Sequence, residues 1–327
     1  MSHKKDTDYL SISTRVRAME NRLLTADRLE RMIDARDDAE ALKVLAECGY
    51  GELAGLTGLP LDHALNAARV AVLDELSVMA PQSALVDMFR LKYDYHNAKV
   101  LVKAKATGQQ AERLLVLGGR YTPQQLLNGL QDCSQCYRTG VEQAAGCLAE
   151  TGDPQQADML LDRACFAEMG QLAEQCSTSF MQGYVRLMAD AANLRACVRC
   201  ARLEKDREFV AKVLVEGGNI SAQELIRSWG QPVGEPFLSG PLAQAAQLAQ
   251  TLSKPGSGPL TELERLCDDA LMDYQRSARR TAFGEEVVAG YLFAKEAELT
   301  TARIVMAGRM AGLERDVIRS RLRRTYV

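Results

Sequence analysis

The feature that most constrains this chain is an internal echo. The stretch DYHNAKVLVKA beginning at Asp94 returns as DAANLRACVRC at Asp190 and, more weakly, as ELTTARIVMAGR at Glu298, at offsets of 96 and 108 residues. Asp94, Asp190 and Glu298 correspond, as do Asn97, Asn193 and Thr301, and then Lys99, Arg195 and Arg303. A second marker recurs in the same order. LLTADRL, RYTPQQLL and NISAQELI place Thr25, Thr122 and Ser221 at offsets of 97 and 99 residues, each where a helix is expected to begin. Ser221 with Glu224 has the spacing of a capping box, Thr122 with Pro123 and Gln125 is a second version, and Thr25 with Arg28 is the weakest. The interval from cap to acid is 69, 68 and 77 residues, and the excess in the third matches the loop SKPGSGP at 253–259. Similarity at a fixed period is the mark of a chain built from like units. We therefore expect three related helical units, 1–107, 108–207 and 208–327; the competing reading is chance likeness between Ala- and Leu-rich helices.

Periodicity sets the fold class. Apolar residues recur at spacings of three and four over 27–46, 61–76, 84–106, 123–130, 160–176, 183–202, 242–252, 260–278 and 285–310, and strand signals are sparse, so an all-α chain is expected. Within the echo, positions 94, 97, 101 and 104 share one helical face, as do Asp190, Asn193, Cys197 and Cys200, and Glu298, Thr301, Val305 and Gly308. Each stripe is polar at its start and small at its end. It reads as a packing stripe, its acid favoured by the helix amino terminus or bonded to a neighbouring turn. This bears on the two CxxC pairs, Cys133/Cys136 and Cys197/Cys200, whose four thiolates would suit zinc if they converged. The second pair stands where the first copy has Leu101 and Ala104, so its thiols read as small core side chains.

Other function classes find little support. A chain of 327 residues with 47% hydrophobic content can build several cores, and a formal charge of −3 recruits neither nucleic acid nor an anionic membrane through a global field. No apolar run reaches the roughly 18 residues of a membrane span, and MSHKKDTDYL lacks a signal peptide's apolar core, so a cytoplasmic chain is expected. Nine scattered cysteines read as reduced thiols. Only His3, His63 and His96 offer imidazole, and no G-x-S-x-G elbow occurs, which argues against a hydrolase. Gly118-Gly119 and Gly217-Gly218 precede helix starts without completing a phosphate-loop motif, and read as helix ends. Arg315, Arg319, Arg321, Arg323 and Arg324 near the carboxyl end are diluted by Glu314 and Asp316, so solvated surface or protein contact is favoured over phosphate. No catalytic residue, cofactor or metal is expected.

One surface stands out. Lys92, His96, Lys99 and Lys103, spaced four, three and four apart, share a helix face that is basic rather than mixed, and Arg195, Arg199 and Arg303 echo it in the later copies. They are candidate partner contacts; the alternative is a solvated face.

The runs DYLSISTRVRAMENRLLTADRLERMI, DAEALKVLAECGYG, LKYDYHNAKVLVKAK and the terminal RSRLRRTYV, in this order and over essentially the whole chain, resemble the C subunit of the bacterial and archaeal V-type (A/V-type) ATP synthases, a relative of the d subunit of the vacuolar enzyme. The resemblance implies three similar helical domains about a pseudo-threefold axis, funnel-like, with no active site. It implies a rotor part joining the central-axle subunits to the membrane proteolipid ring from the cytoplasmic side, without a span of its own, during ATP synthesis or ATP-driven proton or sodium transport. The competing classes are a helical adaptor outside any ATPase and a CxxC metal-binding protein. Units of about 100 residues are too long for ordinary solenoid repeats, which argues for closed domains.

Overall fold

Capping residues set the rhythm of this chain. The structure, a computed structural model, describes residues 4–176 and 178–327; His3 lies outside them. Its α-helices are α1 (Leu10–Glu20), α2 (Ala26–Asp34), α3 (Asp38–Leu45), α4 (Gly58–Met79), α5 (Ser83–Thr107), α6 (Pro123–Asn128), α7 (Gln135–Thr151), α8 (Pro154–Gln175), α9 (Ser179–Arg202), α10 (Arg207–Val213), α11 (Ala222–Arg227), α12 (Ala243–Leu252), α13 (Thr261–Arg276), α14 (Glu285–Met310) and α15 (Arg315–Ser320). No strand forms among the described residues, and the fold is all-α as expected.

Local polar signals explain most departures from the expected helices. The run 27–46 is two helices because Asp37 caps a new start, its carboxylate accepting from the Glu40 N–H at 2.8 Å. Helix α7 was not expected: it opens on Ser134, whose Oγ accepts from the Tyr137 N–H, and closes on the left-handed Gly152. Asp153 then caps α8 with Pro154 at its first turn, so α8 starts six residues before the expected Leu160. At Thr122 both halves of the capping box form. At Ser221 only the serine half does, a correction to the sequence reading, while Thr25 caps α2 by accepting from the Arg28 N–H at 3.2 Å.

The chain divides into two compact units. In the unit of residues 87–267, α8 packs on α7 and α9, and α9 also meets α10 and α12. The α7–α8 approach depends on Gly140, where a Cβ would lie 2.8 Å from that of Ala164. The unit of residues 4–86 and 268–327 is organised on α14, which packs against α1, α2, α3, α4 and α15. Its core joins Met32, Ile33, Leu45 and Leu65 from one end of the chain to Ala302, Val305 and Met306 from the other.

The echoed acids do not sit at helix amino termini, so the helix-dipole explanation fails; Asp94, Asp190 and Glu298 lie within α5, α9 and α14. Each is buried and grips the backbone just ahead of a capped helix. Asp94 accepts from the Arg120 N–H at 2.8 Å, ahead of Thr122, and Asp190 from the Ile220 N–H at 3.2 Å, ahead of Ser221. Glu298 accepts from the Leu24 N–H, ahead of Thr25. One turn on, the Asn97 amide brackets Val116, bonding its C=O and N–H at 2.9 Å each, and Asn193 does the same to Val215 at 2.8 and 2.9 Å. The polar start of the stripe is a clamp on a loop; Cys197, Cys200, Val305 and Gly308 at its other end are buried.

The same clamp explains the paired glycines, which are not helix ends. A Cβ on Gly119 would lie 2.3 Å from Asp94 Oδ1, and one on Gly218 would lie 2.3 Å from Asp190 Oδ1. Only glycine lets a carboxylate that short reach the backbone. We expect Gly218→Ala to displace Asp190 from its donors and cost about 2–3 kcal/mol in urea unfolding, the penalty of leaving buried donors unmet. Gly146→Ala, on the open side of α7, should instead gain about 0.5–1 kcal/mol from helix propensity.

Candidate functional site

The seven basic residues singled out by sequence stand on α5, α9 and α14, and most are engaged within the chain. Lys99 Nζ lies 2.6 Å from Asp162, and Lys103 Nζ 2.7 Å from Asp158, both carboxylates on α8. Arg199 meets Glu264 of α13 at 2.7 Å, and Arg195 donates to the Glu264 carbonyl at 3.4 Å. Arg303 meets Asp62 at 3.0 Å and Asn66 at 2.6 Å, both on α4. The pattern recurs: a cation at the echoed position braces the clamp helix against a carboxylate-bearing helix. Lys92 and His96 are exposed, with the Lys92 ammonium 4.9 Å from the Tyr93 ring centroid. The sequence placed all these cations on one face but could not show the braces, because the carboxylates belong to distant helices.

Beneath α5 lies a buried polar cluster that sequence reasoning missed. Glu168 of α8 accepts from Tyr95 Oη at 2.9 Å, Ser134 Oγ at 2.6 Å and Arg120 at 2.8 Å, and Arg120 also reaches Asp94 at 2.6 Å. Burial opposes the charge on Glu168, but Arg120 and Ser134 outweigh it and hold the carboxyl below its usual range. Burial prevails at Asp94 and pushes it up to about 6, against the pull of Arg120. Arg120, with no periodic signature, links both carboxylates. Its only sequence signal was its place between a glycine pair and a cap.

The cysteines are free thiols. Cys136 Sγ lies 3.5 Å from the Ala164 carbonyl in the α7–α8 contact, while Cys197 and Cys200 are buried along α9. Burial pushes Cys197 up to about 12 and Cys133 up to about 11. Among the described residues, no three His, Cys, Asp or Glu side chains gather as a metal site.

Four of the five arginines near the carboxyl end, Arg315, Arg319, Arg323 and Arg324, are also engaged, while Arg321 is exposed. Arg319 bridges Glu30 and Asp34 of α2 at 3.0 and 2.8 Å, Arg323 meets Asp268 at 3.1 Å, and Arg324 meets Asp273 at 2.5 Å. Tyr326 is buried against Gly290 of α14, where a Cβ would come within 2.5 Å of the hydroxyl. The run that suggested phosphate contact is a strap holding the end of the chain in its unit. No described helix is long and apolar enough to cross a membrane.

The family model for the ATP synthase (C/AC39) subunit matches residues 12–321, which takes in all three clamps and the start of the strap. The chain belongs to this family. The C subunit of a V-type sodium ATPase from Enterococcus hirae is 23% identical over 335 residues, covering 98% of this chain and 99% of that protein. The C subunit of an A-type ATP synthase from Methanothermobacter thermautotrophicus is 26% identical, covering 90% and 82%. The C subunit of a V-type ATP synthase from Thermus thermophilus is 28% identical over 205 residues, 59% of this chain and 63% of that one. In this member the clamp acids, their glycines and the caps are positions where the geometry leaves little choice of side chain.

Proposed function

We propose that this C/AC39 family member is a non-catalytic central-stalk subunit of a V-type or A-type rotary complex, coupling the axle subunits to the membrane proteolipid ring during ATP synthesis or ATP-driven proton or sodium transport. The family match over residues 12–321 carries this reading. The buried clamps support it, because a part that transmits torque needs rigidity rather than a reacting group. On this reading the chain works without a cofactor or nucleic acid, as a peripheral component on the cytoplasmic face, and its three echoed units are similar domains. Co-purification from gently solubilised membranes tests it: axle and proteolipid subunits should accompany the chain, and recovery of neither would overturn the assignment.

Partner contact is proposed for Lys92 and His96 on the ground of their exposure alone. Lys99, Lys103, Arg195, Arg199 and Arg303 would meet partners only while also bracing their own helices. The double reversal Lys99→Glu and Lys103→Glu sets like charges against Asp162 and Asp158 and should cost about 1–2 kcal/mol of stability, each exposed pair contributing up to about 1. Adding Asp158→Lys and Asp162→Lys should restore the fold. If the swapped protein then assembles normally, these lysines are internal braces; salt-sensitive loss of assembly in the swapped form would assign them to a partner surface.

A further inference from the structure

Between α1, α4 and α14, within the unit of residues 4–86 and 268–327, lies a cavity of about 260 Å³ to which no role has been assigned. Its size follows from small side chains. Ala18 of α1 and Ala68, Ala71 and Val72 of α4 line it where larger residues would close it, with Met19 completing an apolar wall.

Its polar groups are unevenly matched. Arg15 is balanced by Glu75 at 2.7 Å, and Lys295, deep in the wall, is balanced by Glu298 at 2.6 Å. Arg22 has no ion pair among the described residues, and its stem runs beside Gly49, whose φ of +89° brings the backbone of the turn after α3 under it. Tyr291 is 3% exposed, lines the cavity, and its hydroxyl bonds to no other described residue. Its hydroxyl oxygen reaches the solvent of the cavity and can donate there. Charge balance leaves one surplus positive charge, Arg22, together with a vacant hydroxyl donor and an apolar wall. A monoanion with an apolar body fits that set; a dianionic phosphate would be left short of charge.

We propose that this cavity binds a carboxylate on a short apolar stem, with Arg22 and Tyr291 holding the carboxylate and the alanine-lined wall taking the stem. The same chemistry is offered by a free carboxylic acid and by the terminal carboxylate of a polypeptide. The inference is independent of the rotor assignment.

Titration calorimetry on the purified full-length chain tests it, with hexanoate, hexanol and inorganic phosphate as probes. Hexanoate should bind, and hexanol and phosphate should bind at least about tenfold more weakly. Arg22→Gln and Tyr291→Phe should each weaken hexanoate about tenfold, as loss of one bond to a charged group does, with thermal unfolding unchanged. Ala71→Leu should abolish binding by filling the cavity. A peptide ending in Ala-Leu, as free acid and as amide, separates the sources: an acid much tighter than hexanoate points to a partner's chain terminus, and an acid no tighter points to a free acid. Equal binding of hexanoate and hexanol, phosphate binding in preference, or indifference to Arg22→Gln would overturn the proposal.

Discussion

If the chain couples axle to ring as proposed, membranes whose rotary complex lacks it should still hydrolyse ATP at the soluble head while ATP-driven ion uptake falls to background. The expectation follows from a chain whose clamp carboxylates are committed to its own fold. Asp94, Glu168 and Glu298 each accept from fixed donors, and burial raises the Cys133, Cys165 and Cys197 thiols above their usual range. On the proposed reading such a part lowers no chemical barrier and supplies a stiff connection between elements that turn and elements that move ions. On that reading, rotation of the axle has no grip on the ring without it. Reconstituting the complex with and without the chain, and measuring phosphate release and ion uptake in the same vesicles, reads the result directly. Full pumping in its absence would refute the coupling role.

Glu298→Ala should cost about 3–5 kcal/mol, the largest single-residue effect expected here. Its carboxylate closes the unit that joins the two ends of the chain, accepting from the Leu24 N–H, from Tyr50 Oη at 2.5 Å and from Lys295 Nζ at 2.6 Å, with Lys295 stacked 4.0 Å from the Tyr50 ring centroid. Alanine leaves a buried ammonium uncompensated and two donors unmet. The chemistry of such pairs makes the double variant Lys295→Met with Glu298→Leu milder than Glu298→Ala, since no charge is stranded. Urea unfolding of the single and double variants decides the matter, and equal losses would show that the packing of α14, rather than the ion pair, carries the effect.

The threefold echo and the all-helical pattern were legible in the sequence because both arise from short-range rules. Apolar spacing writes the helices, and Thr25, Thr122 and Ser221 do begin α2, α6 and α11, since a side-chain oxygen two or three residues from an unsatisfied N–H acts locally. The split at Asp37 was equally local and was missed because the apolar spacing runs through it. The basic face was legible only as a set of positions. Whether Lys99 points at Asp162 or at a partner is decided 63 residues away in the chain, where no periodicity reports it.

What the sequence determined by itself is therefore the alphabet of this fold: helices, their caps, an acid repeated on one face of three of them, and an amide on two of those three. What only the tertiary structure decided is what those residues hold. The acids and amides clamp the loop ahead of the next cap, the paired glycines exist for the carboxylates rather than for the helices, and the third clamp is closed by Glu298 reaching the Leu24 N–H near the opposite end of the chain. The physical reason is that periodicity fixes which face a side chain occupies, whereas a hydrogen bond between segments depends on where distant backbone comes to rest.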